Sequence, residues 1–313
     1  MQDLYGRTIS YLRISITDLC NYRCGYCMPA EGVVKHSHSD ICSLEELRDM
    51  ARMAVQCGIE KIRVTGGEPL VRRGVVDFCR MLRGIDGLKE LCVTTNGSLL
   101  NEMALPLKEA GVDRLNISLD TLKPQRFREI TRNGSLEDVL KGIEAAEKAG
   151  FEHLKINCVL LGGINEDEIE DFVHLTKDHP WEVRFIERMP MGNGLDFGTY
   201  IPAQTVLDRC TSLIKLENEG VASLYRLPGG KGKIGLITPM SHEFCNTCSR
   251  LRITADGKLK SCLHSDKEIP LRGLKGEALR DAIVKGIRKK PPQHHLNEEG
   301  KTETHRTMNR IGG

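Results

Sequence analysis

What this sequence lacks narrows it first. The chain of 313 residues has no run approaching the length of a membrane-spanning helix, which needs roughly 18 apolar residues. No membrane association of that kind is expected. Neither an apolar stretch nor a cleavage pattern opens the chain, so a reducing, cytoplasmic setting is expected. Neither sign of charge is in excess: 45 Lys and Arg against 43 Asp and Glu leave a net +2. That balance excludes nucleic-acid binding by bulk charge, so an anionic ligand must be held by local cations. Low-complexity linkers and repeats are also missing, and the length suits one large domain or one barrel with an appendage.

Cysteine is what the sequence has, with twelve in all. In a reducing compartment clustered thiols read as metal ligands rather than bridges. Cys42, Cys57, Cys79, Cys92, Cys158 and Cys210 are scattered and read as small buried apolar residues. The other six form two sets. Cys20, Cys24 and Cys27 lie in "DLCNYRCGYCMP" (18–29), spaced C-x3-C-x2-C, and Cys245, Cys248 and Cys262 are spaced C-x2-C-x13-C. Each set is one ligand short of a closed zinc site or a complete four-iron cluster. A zinc knuckle would recruit His36 or His38 to the first set and His242 or His264 to the second. A four-iron cluster on three thiolates instead keeps one iron open for a small molecule.

The rest of the chain alternates strand and helix. Strand patterns run over 11–17, 60–65, 88–95, 112–119, 153–161 and 181–189. Between them lie helical patterns such as 43–58, with Ser43 and Glu46 as a capping box and Gly58 at its end. Six βα units in a row predict a parallel sheet. Strand parity adds more. Leu12, Ile14 and Ile16 oppose Arg13, Ser15 and Thr17. Ile62 and Val64 oppose Lys61, Arg63 and Thr65. Leu115, Ile117 and Leu119 oppose Asn116, Ser118 and Asp120. Leu154, Ile156 and Cys158 oppose His153, Lys155 and Asn157. A closed eight-stranded barrel packs its interior with branched apolar side chains, whereas one face here is polar in strand after strand. The expected fold is therefore α/β, an incomplete (β/α)6 TIM-like barrel with a wet lumen and a C-terminal cluster-binding extension. The boundary is expected near residue 225, with 1–225 as the partial barrel and 226–313 as the second-triad region ending in Gly-Gly. The cysteine loop, "GGEP" (66–69), "NG" (96–97) and Asp120 all follow strand ends, the side on which α/β barrels place their active sites.

C-x3-C-x2-C with Tyr26 before the last cysteine, and "VTGGEP" (64–69) one strand later, resemble the radical S-adenosylmethionine superfamily. The stretches 17–32, "VTTNG" (93–97), "LNISLD" (115–120), "KINCV" (155–159), "ERMPMG" (187–192), the second triad and the terminal "IGG" together resemble the GTP 3',8-cyclase family of molybdenum cofactor biosynthesis, the MoaA family. The resemblance implies two [4Fe-4S] clusters, on Cys20, Cys24 and Cys27 and on Cys245, Cys248 and Cys262. The open iron of the first takes S-adenosylmethionine and that of the second takes guanine. A radical then removes the ribose C3' hydrogen of GTP, and C3' bonds to guanine C8. Tyr26, Gly67, Ser118 and Met189 are implied to contact S-adenosylmethionine. Arg13, Arg63, Thr94, Lys155, Arg250, Leu251 and Arg252 are implied to hold GTP. Arg250, Arg252, Gly312 and Gly313 are implied in catalysis. The resemblance also implies an electron donor such as flavodoxin or ferredoxin and a downstream cyclic pyranopterin monophosphate synthase, and it allows a homodimer. Leu19, where a basic residue is common, and the stretch 35–40 depart from the pattern. Two rival classes are a radical enzyme acting on a peptide and a non-catalytic zinc protein. The lumen cations and the terminal Gly-Gly argue against the first, and "GGEP" with the polar strand faces against the second.

Overall fold

The computed structural model describes residues 1–32, 40–191, 197–294 and 302–312. His36, His38, Gly192 and Gly313 lie outside the described residues. Six β/α units come first: β1 (Tyr11–Ser15), α1 (Leu44–Gln56), β2 (Lys61–Thr65), α2 (Val75–Arg83), β3 (Glu90–Thr95), α3 (Leu100–Glu109), β4 (Arg114–Ser118), α4 (Pro124–Thr131), α5 (Leu136–Lys148), β5 (Lys155–Leu160), α6 (Ile169–Asp178), β6 (Glu182–Glu187) and α7 (Gln204–Arg209). Then come β7 (Ile214–Lys215), β8 (Ser223–Arg226), β9 (Lys233–Ile237), β10 (Arg250–Ile253), β11 (Lys258–Lys260), β12 (Ile269–Pro270) and α8 (Gly276–Arg288).

All twelve strands join one sheet, ordered β12-β11-β10-β1-β2-β3-β4-β5-β6-β9-β8-β7. From β10 through β1–β6 to β9 every pair is parallel, and the sheet keeps two edges instead of closing. The parallel frame matches the expected incomplete barrel. What parity along the first six strands did not reveal is that β9 and β10, late in the chain, extend the sheet beyond β6 and β1.

Local signals explain the elements. Ser43 Oγ accepts from the Glu46 N–H at 3.1 Å while Glu46 returns a carboxylate to the Ser43 N–H at 2.8 Å, satisfying two orphan donors at the start of α1. Its buried positions, Leu47, Met50, Ala51, Ala54 and Val55, recur at helical spacing. Gly58 then takes φ +99 to turn the chain toward β2, a conformation that side chains with a Cβ rarely adopt. On the helix-facing side of the sheet Leu12, Ile14, Ile62, Val64, Leu91, Val93, Leu115, Ile117 and Ile156 are all fully buried.

The loops at the C-terminal ends of the strands are tied by buried carboxylates. Glu68, just after β2, accepts from Leu70 N–H (3.0 Å), Thr95 Oγ1 (2.7 Å) and Asn96 N–H (2.7 Å), reaching across to the loop after β3. Asp120 accepts from Val159 N–H (2.8 Å) and from Tyr26 Oη in the cysteine loop (2.7 Å). Glu168 accepts from Thr121 Oγ1 (2.6 Å) and Leu122 N–H (2.7 Å), after β4. Glu187, closing β6, accepts from Ala203 N–H (3.0 Å), Met240 N–H (3.0 Å), Ser241 N–H (2.9 Å) and Ser241 Oγ (2.5 Å).

Removing one such hub strands several buried donors, each at a cost of about 1–3 kcal/mol. Glu187→Ala is expected to destabilise the protein by about 3 kcal/mol. Urea unfolding measures the loss, and faster amide exchange at Ala203, Met240 and Ser241 locates it.

Candidate active site

A cavity of about 570 Å³ is lined by residues of both thiol sets and of the lumen faces of β1–β6. Sheet register builds its charged wall. Arg252, Arg13 and Arg63 face one another across β10, β1 and β2, and Arg250, Tyr11 and Lys61 form the rung beside them. Strands lie about 4.8 Å apart, so three guanidinium stems start from adjacent positions in a buried setting. Burial, with Arg63 and Arg250 nearby, pushes Arg13 down to about 10. Burial and the charges of Arg13 and Arg250 drive Arg252 well below its ordinary value. Burial alone would raise the Tyr11 phenol, but Arg63, Arg13 and Arg250 outweigh it and bring it to about 8. Tyr11 Oη accepts from Arg63 Nε, and Arg63 Nη1 donates to Thr94 Oγ1 at 3.1 Å. This wall is built to receive negative charge.

Lys155 lies on the next rungs, with its ammonium 2.9 Å from Glu182 and 3.3 Å from Glu219. Asn116 and Asn157 line the same cavity, and the Oδ1 of each is buried without a hydrogen-bond partner. An orphaned buried acceptor costs stability unless a donor arrives, so the lumen is polar and calls for a polar ligand.

The first thiol set sits in the loop after β1, beside the glycine motif after β2. Gly67 N–H donates to the Thr17 carbonyl at 2.6 Å and Glu68 N–H to the Leu19 carbonyl at 2.8 Å. A Cβ on Gly67 would come within 2.4 Å of the Leu19 carbonyl, so this close approach requires glycine. Leu19 contributes its backbone there while its side chain is exposed. Arg132 holds the Arg23 and Met28 carbonyls at 3.0 and 3.1 Å, and Asn133 holds that of Asn21 at 2.6 Å. Burial pushes Cys20 up to about 11 and Cys27 up to about 12, and it carries Cys24 well above the thiol range. The second set is gathered by the antiparallel β10–β11 pair, which aligns Arg252 with Lys260 and so brings Cys248 and Cys262 to one end. Burial raises the Cys248 thiol, but Lys290 and Arg250 together hold it below its ordinary value.

The spacing of the sulfurs bears on what they hold. Neither set of three thiols comes within 4.8 Å of one another throughout; among the described residues only Glu243, Cys245 and His294 form such a close group. A single zinc ion with bonds of about 2.3 Å needs its sulfurs about 3.8 Å apart. A cubane is wider and spreads its thiolates further, so both sets fit a four-iron cluster better than one ion.

The chain's end enters this wall. Gly312, at φ +76, offers its carbonyl to Arg252 Nη1 at 2.5 Å and to Arg13 Nε at 3.3 Å. A Cβ on Gly312 would lie 2.2 Å from Thr65 Oγ1. Asn309 Nδ2 donates to the Asp18 carbonyl at 3.1 Å, and Arg310 Nε lies 3.4 Å from Asp18 Oδ2.

Comparison with known proteins agrees with this geometry. The Radical SAM superfamily matches residues 14–176, and Molybdenum Cofactor Synthesis C matches 181–296. The GTP 3',8-cyclase of Peptoclostridium acidaminophilum is 52% identical over 319 residues, covering 99% of this chain and 98% of that one. That of Alkaliphilus oremlandii is 48% identical over 320 residues, covering all of both chains. The chain belongs to the GTP 3',8-cyclase family. Among solved structures, Streptococcus suis SuiB bound to S-adenosylmethionine aligns over 86% of this chain and 62% of its own length, with TM-score 0.64 and 14% identity. The protein anSMEcpe with bound AdoMet aligns over 90% of this chain and 81% of its own, with TM-score 0.58 and 16% identity. At these identities the likeness is one of fold.

The family resemblance named residues that the structure places as follows. Tyr26, Gly67, Ser118, Met189, Arg13, Arg63, Thr94, Lys155, Arg250, Arg252 and all six clustered cysteines line the one cavity. Leu251 is fully buried on the opposite face of β10, so contact from it to the cavity would run through its backbone. Gly312 reaches the arginine wall, and Gly313 is outside the described residues. Lys61, Asn116, Asn157, Arg184, Lys290 and His294 also line the cavity without having been singled out as site residues. Strand parity had already put Lys61, Asn116 and Asn157 on the lumen face. Arg184 alternates with Val183 and Phe185 in β6 and could have been found the same way. Lys290 and His294 follow α8 in a segment with no periodic signal.

A tyrosine brought to about 8 is directly observable. Absorbance titration of the cluster-free protein is expected to show one phenol ionising near pH 8, well before Tyr22, which burial pushes to about 12. Tyr11→Phe should remove that step and leave the later ones.

Proposed function

We propose that this chain cyclises GTP to 3',8-cyclo-7,8-dihydroguanosine 5'-triphosphate, the first step of molybdenum cofactor biosynthesis, as a radical S-adenosylmethionine enzyme. The observation that carries this reading is one cavity lined by two three-thiol sets and by Arg252, Arg13 and Arg63 on adjacent strands. Cys20, Cys24 and Cys27 would hold one [4Fe-4S] cluster and Cys245, Cys248 and Cys262 the other. With S-adenosylmethionine on the first, the bound group supplies the one-electron chemistry that removes the ribose C3' hydrogen, after which C3' bonds to guanine C8.

Everything else is work for the polypeptide. Arg13, Arg63, Arg250 and Arg252 receive the triphosphate, and the anion relieves the repulsion among them. Lys155 joins them by exchanging its carboxylate partners for phosphate oxygen, and Thr94 steadies Arg63. Tyr26, fixed by Asp120, bounds the S-adenosylmethionine site with Gly67, Ser118 and Met189, and the bare backbone at Gly67 leaves room for a close approach. Arg250 and Arg252 stand two and four residues beyond Cys248, so guanine at the second cluster and phosphate at the arginines are held by one short segment. Gly312 brings the backbone of the tail to the same arginines and helps to align the reacting ribose. In this reading residues 1–225 hold the radical-generating cluster and part of the GTP site, and 226–313 hold the second cluster and the rest of that site. A flavodoxin- or ferredoxin-like donor supplies the electron, and a cyclic pyranopterin monophosphate synthase consumes the product. Among the described residues no helix is long and apolar enough to cross a membrane. We place the enzyme in the cytoplasm, with homodimerisation compatible with its family.

Anaerobic incubation with GTP, S-adenosylmethionine and a reductant tests the reading through formation of the cyclised nucleotide. Cys24→Ala is expected to abolish S-adenosylmethionine cleavage. Cys248→Ala should retain some cleavage but yield no cyclised GTP. Equal loss of cleavage in the two variants would refute this division of labour.

A charge-assisted contact to phosphate contributes about 1.5–3 kcal/mol. Arg252→Ala should therefore weaken GTP binding roughly ten- to a hundredfold while iron content stays unchanged. Equilibrium dialysis under anaerobic conditions measures it, and wild-type affinity would place Arg252 outside the substrate site.

A further inference from the structure

One partly buried segment in the cavity wall belongs to neither the arginine rungs nor the tail. Lys290, two residues after α8, is 3% exposed. Its Nζ donates to the Arg250 carbonyl at 2.9 Å and the Ser261 carbonyl at 2.7 Å, two residues beyond Cys248 and one before Cys262, and its charge holds the Cys248 thiol down. An ammonium has three protons to give, and two of them go to carbonyls beside the second thiol set. Four residues on, His294 Nδ1 lies 3.1 Å from Cys245 Sγ. Its ring stacks on His264 at 4.4 Å between centroids, and its Nε2 lies 3.5 Å from Glu243. With Cys245 ligating as a thiolate, which has no proton to donate, His294 Nδ1 would be the donor in this contact.

The segment is itself clamped. Buried Arg7 donates to the carbonyls of Lys290 (3.3 Å), Pro291 (2.6 Å), Pro292 (2.9 Å) and Cys245 (2.7 Å), and its Nε pairs with Asp3 at 2.6 Å. One arginine thus fixes both the thiol loop and the stretch that carries Lys290. A helix end needs its last carbonyls satisfied, but the Lys290 side chain turns to carbonyls of other elements instead.

We propose that Lys290 and His294 are positioning residues for the second cluster, acting through Cys248 and Cys245 to hold its reduction potential up. The reduced cluster carries one more negative charge than the oxidised one. A buried cation at one thiolate, and an N–H donated to another, stabilise that extra charge, since potentials follow net charge and hydrogen bonds to sulfur. The proposal rests on the second triad holding a [4Fe-4S] cluster.

The test uses the full chain carrying Cys24→Ala, so that the second cluster gives the only paramagnetic signal on reduction. Iron, zinc and sulfide analysis comes first. Zinc without sulfide on the second triad would remove the cluster reading itself, a failure distinct from the one below. Potentiometric titration followed by electron paramagnetic resonance, without GTP, then compares variants of equal iron content. Lys290→Gln keeps a donor but drops the charge. It is expected to lower the reduced-to-oxidised ratio at a fixed potential at least tenfold, which is about 59 mV for one electron. Lys290→Arg should stay close to the unsubstituted midpoint. His294→Phe, whose ring keeps the stack on His264, should shift the midpoint in the same direction and change the g-values. A midpoint unmoved in loaded Lys290→Gln overturns the proposal. If Lys290→Gln does not retain iron, His294→Phe decides: a downward shift supports the proposal, and an unmoved midpoint overturns it. Loss of iron from both variants also overturns it, in favour of a purely structural role.

Discussion

Three like charges on neighbouring strands are the constraint around which this protein is arranged. Arg252, Arg13 and Arg63 are placed side by side by sheet register, not by a flexible loop. Unit charges about 5 Å apart repel by on the order of 3 kcal/mol at an effective dielectric near 20. No dry core tolerates that without partners. The sheet therefore cannot close on itself as an eight-stranded barrel does around its branched apolar layers. It stays open, and its late strands add to the wall: β10 supplies the third arginine, and β9 extends the far side. Tyr11 and the Gly312 carbonyl supply electron density where the arginines crowd. These contacts are weak stand-ins for an anion, and a triphosphate exceeds both in charge.

Much of this was legible in the residues. The alternation in β1, β2, β4 and β5 is strict enough that Arg13, Arg63, Asn116, Lys155 and Asn157 can each be placed on one face from sequence alone. The capping box of α1 and the turn at Gly58 are local chemistry and follow from their own few residues. The thiol spacings stood out because a set of three is conspicuous where four would be complete. The rest depended on long-range pairing, which leaves no local trace. Nothing near Arg252 says that β10 lies against β1, some 240 positions earlier, so the arginine rung could not be read as a rung. Leu251 was grouped with its neighbours because a motif is contiguous, whereas a strand sends alternate side chains to opposite faces. Lys290, His294 and Arg7 meet only in three dimensions. The buried carboxylates Glu68, Glu168 and Glu187 look like surface charge in the sequence, because acidic residues usually are.

Those carboxylates also bear on how such a protein comes to be assembled. In a zinc finger the metal supplies the folding energy, and the apo chain is unfolded. Here the loops that carry the thiols are held by ordinary side chains: Arg132 and Asn133 at the first set, Arg7 at the second, and Glu68 and Asp120 across the mouth. The shape of each holder is therefore carried by the polypeptide's own hydrogen bonds, and an inorganic core bound there would add to that frame rather than create it.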